Sequence, residues 1–437
     1  MPAKDEICAQ TLSEAAARIK SGVLTPVDLT RACLDRIERL DREYNSFITI
    51  YREQSTAAAV QLTRELQNGR WRGPLHGIPV ALKDLIDVAG FPTTAASKLF
   101  LNNVAKYDAE VTRRLKAAGA VIIGKTNLHE FAYGGSGMIS YFGVVRNPVN
   151  PAYITGGSSS GSAAAVAAGF CFAAIGTDTA GSIRLPAAYC GVVGLKPTYG
   201  LVSAEGVVPL ALSYDHVGPI TKTVEDASLV LQALSDFTPR EIDAKALRFG
   251  IAREYFFRDC DSEIARAVED IANKLSAKEV TATVDEDRTV SSAEAFAYHR
   301  QFVAEHPERY QKETLRRIRS GENITTAAYN QKRQELDDIR HRAADLFRDI
   351  DVIIAPTVPT PPSQISELEA NPDQLRPREL LMLRNTRAFN VLGCPAMSVP
   401  CGKTRAGLPI GIQLATAPER EDVLIAAAKV VENIVRT

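Results

Sequence analysis

The stretch from Gly156 to Arg184 reads GGSSSGSAAAVAAGFCFAAIGTDTAGSIR, and it contains the features that decide the fold. Its first seven residues, Gly156 to Ser162, combine glycines and serines and lead directly into an alanine-rich run that is typical of a buried helix. A strand-like run from Phe172 to Ile175 follows, and a second glycine- and serine-containing element, Gly176 to Arg184, comes directly after it. Loop, helix, strand and sharp turn in this order favour a layered α/β fold.

The same alternation of short strands and helices extends to both sides of this stretch. Thr11, with Glu14 three residues later, has the pattern of a helix N-terminus, and Thr25 with Pro26 opens a helix that should extend to about Tyr44. Further strands are predicted at Ile78 to Leu82, Ala120 to Ile123, Arg248 to Ile251, Val352 to Ala355 and Ile410 to Leu414. Further helices are predicted at Glu110 to Ala118, Val224 to Leu234, Ile264 to Leu275 and Val423 to Val435.

The length of 437 residues suits one large α/β domain with a helical addition. Residues 1–70 are expected to form an N-terminal helical segment that packs on the core, and residues 71–437 the main domain. Within it, residues 291–348 are long, charged and helical, which indicates an insertion or cap lying on the sheet. The proline-rich segment from Pro356 to Pro377 is predicted to be a surface loop.

Composition restricts the possible partners and the compartment. With 24% charged residues and a formal net charge of -1, the chain offers no electrostatic reason to bind nucleic acid or an anionic membrane, so a small ligand is expected. Seven cysteines without CxxC pairs favour reduced thiols and hence the cytoplasm. Met1 to Gln10 lacks an apolar run of signal-peptide length, and no later apolar run is long enough to span a membrane.

The second glycine- and serine-containing element predicts a nucleophile. A serine on a tight turn after a strand, with consecutive backbone N–H groups around it, is the arrangement that binds an oxyanion, and Ser182 occupies that position.

Two other interpretations apply to Gly156 to Ser162. A flexible linker does not lead into a buried helix, and a phosphate-binding loop lacks here the Gly-Lys-Ser/Thr ending of a P-loop.

A serine hydroxyl is inert at neutral pH without a base. The six histidines lie beside glycines, in strand segments or in the helical insertion, where histidines are usually structural or exposed. Lys83 follows the apolar run Ile78 to Leu82, where a strand would deliver it into a buried centre. Burial disfavours the ammonium and would make Lys83 a neutral base near physiological pH, whereas a surface lysine extending from a strand end would stay charged.

Several blocks together resemble the amidase signature family of serine hydrolases, and the similarity spans nearly the whole chain. The three principal blocks are Leu75 to Asp87, Gly156 to Ser162 and Gly176 to Pro197, with further similarity at Asp215 to Pro219, Asp351 to Pro356 and Asn390 to Gly402. The resemblance implies a single large catalytic domain over residues 71–437, with a central mixed β-sheet covered by helices on both faces. It also implies catalysis without a cofactor or a metal.

Carried over residue by residue, the resemblance implies that Lys83 is the base, Ser158 the bridging serine and Ser182 the nucleophile. The bridging serine follows a cis peptide bond in this family, so the bond between Gly157 and Ser158 is expected to be cis. Ser182 would form an acyl-enzyme that water hydrolyses. The oxyanion hole implied by the resemblance consists of the backbone N–H groups of Thr179, Ala180, Gly181 and Ser182.

Two points of the site depart from the family pattern or go beyond it. Members usually carry two glycines before the nucleophile, whereas this chain has Ala180 and Gly181, so Ala180 is expected to have ordinary backbone angles. Asp178 and Arg184 are expected to be a structural pair that braces the turn. The acyl pocket is predicted to be lined by Tyr133, Ser136 and Met138, from their position after Phe131.

Three classes of function fit the resemblance. The first is a stand-alone amidohydrolase that acts on small linear carboxamides, with a homodimer expected by family analogy and the exact amide, urea-like compound or ester left open. The second is the glutaminase subunit of a tRNA-dependent amidotransferase, but Tyr133 to Ser140 reads YGGSGMIS where such subunits usually carry a serine–threonine–glutamate pattern. The third, a non-catalytic binding protein, is disfavoured because Lys83, Ser158 and Ser182 are all intact.

Overall fold

A large mixed β-sheet forms the centre of the computed structural model, which describes residues 4–282 and 284–436. Thirteen strands lie in this part of the chain. They are β1 (Phe47–Ile50), β2 (Pro79–Lys83), β3 (Val121–Thr126), β4 (Arg146–Asn147), β5 (Asn150–Ile154), β6 (Ala173–Asp178), β7 (Val193–Lys196), β8 (His216–Thr221), β9 (Phe249–Ile251), β10 (Lys278–Glu279), β11 (Val352–Pro356), β12 (Ala396–Lys403) and β13 (Pro409–Ala415).

Eleven strands form one sheet in the order β1-β3-β2-β6-β8-β7-β12-β13-β11-β9-β10, while β4 and β5 pair separately. The strand β2 runs parallel to both of its neighbours, β3 and β6, and β9 runs parallel to β10 and β11. The other pairings in the sheet are antiparallel. The prediction of a single α/β domain with a central mixed sheet is therefore confirmed.

Sixteen α-helices flank the sheet in the described residues. They are α1 (Lys4–Ala9), α2 (Leu12–Lys20), α3 (Pro26–Tyr44), α4 (Arg52–Gln67), α5 (Glu110–Ala117), α6 (Ser160–Ala167), α7 (Arg184–Cys190), α8 (Val224–Leu234), α9 (Arg253–Phe256), α10 (Ser262–Lys274), α11 (Thr289–Glu305), α12 (Lys312–Arg319), α13 (Thr326–His341), α14 (Ile365–Ala370), α15 (Leu375–Val391) and α16 (Glu421–Arg436).

The side chains of β2 show how helices cover both faces of the sheet. Every residue of β2 is buried, and successive side chains in a strand point to opposite faces. Val80 and Leu82 belong to a hydrophobic cluster that includes residues of α8 and α16, whereas Ala81 belongs to another cluster that includes residues of α6 and α7. The fully apolar run before Lys83 therefore reflects burial on both faces.

Local sequence signals set the ends of the helices near the N-terminus. Thr25 caps α3 by accepting a hydrogen bond from the amide of Asp28, whose carboxylate accepts in turn from the amide of Thr25. Pro26 fits the first turn because its missing N–H would have no partner there. The helix ends at Asn45, which adopts the left-handed conformation at φ 57°. The predicted helix from Pro26 to Tyr44 is confirmed at both ends.

Two segments differ from the prediction. The segment from Pro356 to Pro377 is not an uninterrupted loop, because it contains α14 and a 3₁₀ turn at Pro372–Gln374. Its prolines lie mainly before these elements, where they do not interrupt helical hydrogen bonds. The helix α15 was not predicted, because many of its buried residues are polar and give no amphipathic pattern.

Two further structural findings concern the whole described chain. Among the helices of residues 4–282 and 284–436, none combines the length and the hydrophobicity needed to cross a bilayer. All seven cysteines are free of disulfide bonds, and only Cys260 is not buried.

Candidate active site

Lys83 ends β2 and has no solvent-exposed surface. Its Nζ donates to Ser158 Oγ at 2.7 Å and to Thr177 Oγ1 at 2.8 Å. Within residues 4–282 and 284–436, no carboxylate lies within 4 Å of this amine to form an ion pair. Burial lowers the pKa of Lys83 to about 7, although the negative charges of Asp178 and Asp215 act in the opposite direction. A substantial fraction of the amine is therefore neutral at physiological pH, unlike that of an exposed lysine.

The glycine- and serine-rich loop positions Ser158 beside this amine. The peptide bond between Gly157 and Ser158 is cis, as the family resemblance implies. The Ser158 carbonyl accepts from the amide of His129 at 3.1 Å, and the amide of Ser159 donates to the Ser182 carbonyl at 3.1 Å. The Ser159 hydroxyl also donates to the Thr177 carbonyl at 3.1 Å. These bonds join the serine loop to the end of β6 and to the following turn.

The predicted nucleophile, Ser182, lies in the turn that joins β6 to α7 and is 4% exposed. Gly181 precedes it at φ 130°, and an added β-carbon there would clash with the side chain of Thr386. Glycine is therefore required at this position. Ala180 is not among the residues with positive φ, so its backbone angles are ordinary, as predicted. Its carbonyl accepts from the Thr386 hydroxyl at 2.7 Å.

The four amides predicted for the oxyanion hole differ in their partners. The Gly181 N–H donates to Asp178 Oδ1 at 2.7 Å, so it would have to leave this acceptor to bind an oxyanion, and its role stays a prediction. In the described part of the chain, the N–H groups of Thr179, Ala180 and Ser182 have no protein acceptor. These three donors remain available to an oxyanion.

A buried ion pair supports the turn. Arg184 Nε donates to Asp178 Oδ2 at 3.0 Å and its Nη2 donates to Asp178 Oδ1 at 2.9 Å, with both side chains fully buried. Arg184 also donates to Gln413 Oε1 at 2.7 Å, and Asn390 donates to Asp178 Oδ1 at 2.8 Å. Burial acts to raise the pKa of Asp178, but the charge and hydrogen bonds of Arg184 outweigh it and hold the pKa well below its usual range. This pair is the brace predicted from the sequence.

The residues predicted to line the acyl pocket have different surroundings. Ser136 is fully buried, and its hydroxyl donates to Glu379 Oε1 at 2.6 Å, so its hydrogen is already committed. Met138 packs against the hydrophobic cluster that includes Leu185 and Leu383. Tyr133 is partly exposed, and its carbonyl accepts from Arg317 Nη1 at 2.5 Å. The prediction that Tyr133, Ser136 and Met138 contact the substrate stays a prediction.

Sequence reasoning missed three residues that shape the site: Thr177, Arg317 and Glu379. Thr177 lies inside a matching block, one residue before Asp178, so its position on the catalytic strand was available from the motif. Arg317 Nη1 and Glu379 Oε2 form a buried ion pair of 2.8 Å between α12 and α15. No local pattern signals this contact, because it depends on how two distant helices pack.

In the described residues, no group of three or more His, Cys, Asp or Glu side chains is placed to hold a metal ion.

Comparison with known proteins supports the assignment of the fold. The family model described as Amidase matches residues 28–425. A glutamyl-tRNA(Gln) amidotransferase subunit from Lachnospira eligens is 36% identical and covers 97% of this chain and 98% of its own length. An amidase from Pseudomonas putida is 38% identical over 91% of this chain and 90% of its own length. A crystal structure of an amidase superposes with a TM-score of 0.89 and 32% identity, covering 98% of this chain and 100% of that chain.

The mixed sheet with its flanking helices and the matches over almost the full length define a hydrolase of the amidase type. The chain belongs to the amidase signature family.

The buried brace gives a test of stability. Asp178→Asn is expected to lower the free energy of unfolding by about 3–5 kcal/mol, because it leaves the Arg184 guanidinium buried without its counter-charge. Asp351→Asn is the matched control, because Asp351 forms a two-pronged pair with Arg248 at 3.1 and 3.0 Å whose side chains are 31% and 50% exposed. That variant is expected to lose about 1 kcal/mol or less. Urea unfolding measures both, and equal losses would contradict the role of the brace.

Proposed function

We propose that this chain hydrolyses a carboxamide C–N bond of a small linear molecule through an acyl-enzyme on Ser182. Lys83 is the base and Ser158 passes the proton. The observation that carries the proposal is the buried amine of Lys83, which has no counter-ion within 4 Å in the described chain and lies 2.7 Å from the Ser158 hydroxyl. A neutral amine in that position is a proton acceptor at physiological pH.

The acylation step begins with two proton transfers. Lys83 takes the proton of Ser158 as Ser158 takes the proton of Ser182, and the Ser182 oxygen attacks the amide carbon. The carbonyl π electrons move to oxygen and form a tetrahedral oxyanion. When this collapses, the C–N bond breaks, the nitrogen receives the proton from Lys83 through Ser158, and the amine or ammonia leaves. Water then attacks the ester by the same relay and releases the acid.

The oxyanion requires donors that are fixed before the reaction. The N–H groups of Thr179, Ala180 and Ser182 supply them in our proposal, and Asp178 holds the turn through the amides of Gly181 and Ile183. Removal of one such donor commonly costs about 10²–10³ in kcat. The Thr386 hydroxyl supports the same turn from α15 by donating to the Ala180 carbonyl.

The helical segment of residues 291–348 serves as a cap in this proposal. Arg317 of α12 donates to the Tyr133 carbonyl and pairs with Glu379 of α15, so the segment contacts the wall of the acyl pocket. We further propose that the helices of residues 4–70 form the segment that packs on the catalytic domain of residues 71–437, although this segment also contributes the edge strand β1 to the sheet. Leu12, Ile19 and Leu29 support this, because they belong to the same hydrophobic cluster as strand residues of the sheet.

The proposed setting is the cytoplasm, supported by the free cysteines, and the proposed assembly is a homodimer by family analogy.

A second candidate function is the glutaminase subunit of a tRNA-dependent amidotransferase. It is favoured by the 36% identity to an amidotransferase subunit over almost the full length of both chains. The pattern Tyr133 to Ser140 disfavours it. Glutaminase activity that appears only with copurified partner subunits would establish this second function in place of the first.

The nucleophile is tested by substitution. Ser182→Ala is expected to lower kcat for release of ammonia or amine from a panel of small amides by about 10⁴-fold or more, because no acyl-enzyme forms. Ser203→Ala, a partly exposed serine outside the site, is the matched control and should retain full activity. Mass spectrometry of the wild type, quenched during turnover, should find the acyl group on Ser182. Activity that survives Ser182→Ala, or an acyl group on another residue, would contradict the mechanism.

The base is tested by the pH dependence of activity. Lys83 must be neutral to accept a proton, and its pKa is lowered to about 7, so kcat/KM should fall tenfold per pH unit below about 7. Asp215 is the competing group, because burial raises its pKa to about 6 and Thr179 of the turn donates to it at 2.6 Å. The acidic limb should persist in Asp215→Asn. A profile that is flat to pH 5 in the wild type, or a limb that Asp215→Asn abolishes, would contradict Lys83 as the base.

A further inference from the structure

The carbonyl of Ser158 is held by the turn that follows β3. The amide of His129 donates to this carbonyl at 3.1 Å. The turn continues as the 3₁₀ element Glu130–Ala132. Because Ser158 is the proposed link between the nucleophile and its base, the place of its hydroxyl depends on how firmly this turn is fixed.

The same turn is also bonded to the end of β2. The amide of Phe131 donates to the Ala95 carbonyl at 3.0 Å, and the amide of Ala95 donates to the Asp84 carbonyl at 2.9 Å. Asp84 directly follows Lys83. Backbone hydrogen bonds of one short turn therefore connect the strand end that carries the amine with the loop that carries the Ser158 hydroxyl.

The turn has a backbone conformation that the surrounding structure must maintain. Phe131 and Ala132 have φ values of 51° and 59°, in the left-handed region that residues other than glycine rarely adopt. Ala95, which accepts from Phe131, has a φ of 51° as well. Such conformations persist where contacts from outside the segment fix them, and they cluster at functional sites. The contacts that fix this turn therefore matter for the relay.

The side chain of His129 supplies contacts of this kind, and it is fully buried. Arg317 Nη1 of α12 donates to its Nε2 at 3.4 Å, so Nε2 is the acceptor and Nδ1 carries the ring hydrogen. Nδ1 lies 3.6 Å from Glu379 Oε1 of α15. The ring is thus enclosed by the cap and by α15, two parts of the chain that are far from the turn in sequence.

The protein accommodates His129 as a neutral imidazole. Burial lowers its pKa well below the ordinary value, and the positive charges of Arg317, Arg376 and Lys83 act in the same direction. Gly134 leaves space for the contact, because an added β-carbon there would overlap both the imidazole and the Arg317 guanidinium. Across residues 4–282 and 284–436, however, the ring Nδ1 has no hydrogen-bond acceptor. A buried polar atom without a partner costs stability, so stability alone does not explain this ring.

We propose that His129 is a positioning residue of the relay. Its ring, held between Arg317 and Glu379, fixes the turn whose amide binds the Ser158 carbonyl. The turn in this way sets the separation of the Ser158 hydroxyl from the Lys83 amine, which is 2.7 Å in the structure. The inference rests on the proposed amidase activity and deepens it, because it gives the cap a part in aligning the base.

Kinetics of His129 variants test the proposal. His129→Leu is expected to lower kcat for amide hydrolysis by about 10–100-fold with little change in KM, because a displacement of about 1 Å in a catalytic group has an effect of this size. His129→Gln keeps an acceptor for Arg317 and should retain most of the activity. His76→Leu is the matched control and should keep the wild-type kcat, because His76 is equally buried but its Nε2 lies 2.9 Å from the Leu62 carbonyl oxygen. A folded His129→Leu enzyme with the wild-type kcat would overturn the inference.

Titration of the Lys83 amine by NMR separates positioning from a loss of stability and from failure of the proposed function. In His129→Leu the midpoint should rise by about one pH unit, because water that enters beside a displaced Ser158 solvates the ammonium. In His76→Leu the midpoint should not move. An unmoved midpoint in folded His129→Leu would indicate a merely structural role and overturn the inference, whatever the kcat.

If the midpoint rises in His129→Leu but the wild type hydrolyses no amide, the proposed function fails and the positioning role stands. If amides are hydrolysed and the midpoint does not move, the positioning role fails and the proposed function stands. Should His129→Leu not fold, His129→Asn replaces it in both experiments with the same expected results, because asparagine is polar but too short to accept from Arg317.

Discussion

The candidate site depends on one buried amine, that of Lys83. Its hydrogen bonds are accepted by hydroxyl groups and not by a carboxylate. Lys83 donates to Ser158 and Thr177, and no counter-ion lies within 4 Å in the described residues. A charged ammonium in such a place would be poorly solvated, so burial favours the neutral form. Lys125 on the adjacent strand shows the contrast, because it is equally buried but pairs with Asp84 at 2.8 Å. What distinguishes Lys83 is therefore its partners and not its burial alone.

A lowered pKa is not sufficient to identify a base. Lys196 is also fully buried, and burial together with the charge of Arg184 lowers its pKa to about 7. Its amine, however, donates to the carbonyls of Pro197 and Cys394 at 3.0 and 2.6 Å. A carbonyl has no proton to give, so this amine supports the backbone. The amine of Lys83 differs from that of Lys196 because it donates to the hydroxyl of Ser158. Ser158 lies in the loop Gly156 to Ser162, and this loop is bonded to the turn of Ser182 through the amide of Ser159.

Much of this arrangement could be predicted from the sequence, because it is encoded locally. The apolar run before Lys83 indicated a buried strand, and the serine loop and the turn lie within short ordered blocks that match a family pattern. The contacts from distant segments could not be predicted in the same way. In α15, Thr386, Arg387 and Asn390 are buried because they bond to the turn, to a backbone carbonyl or to the Asp178–Arg184 pair. Such polar residues would be assigned to the surface by hydrophobic periodicity, and only the packed structure explains them.

The central claim is that burial lowers the pKa of the Lys83 amine to about 7, so that a large fraction of it is uncharged at neutral pH, and its titration can be followed directly. Heteronuclear NMR of protein labelled at the lysine side chains measures the pKa, and loss of the signal in Lys83→Met assigns it and separates it from Lys196. The account predicts a midpoint near 7, as burial of this amine requires. A Lys83 side chain that stays protonated up to about pH 10, the range of an exposed lysine, would contradict the account.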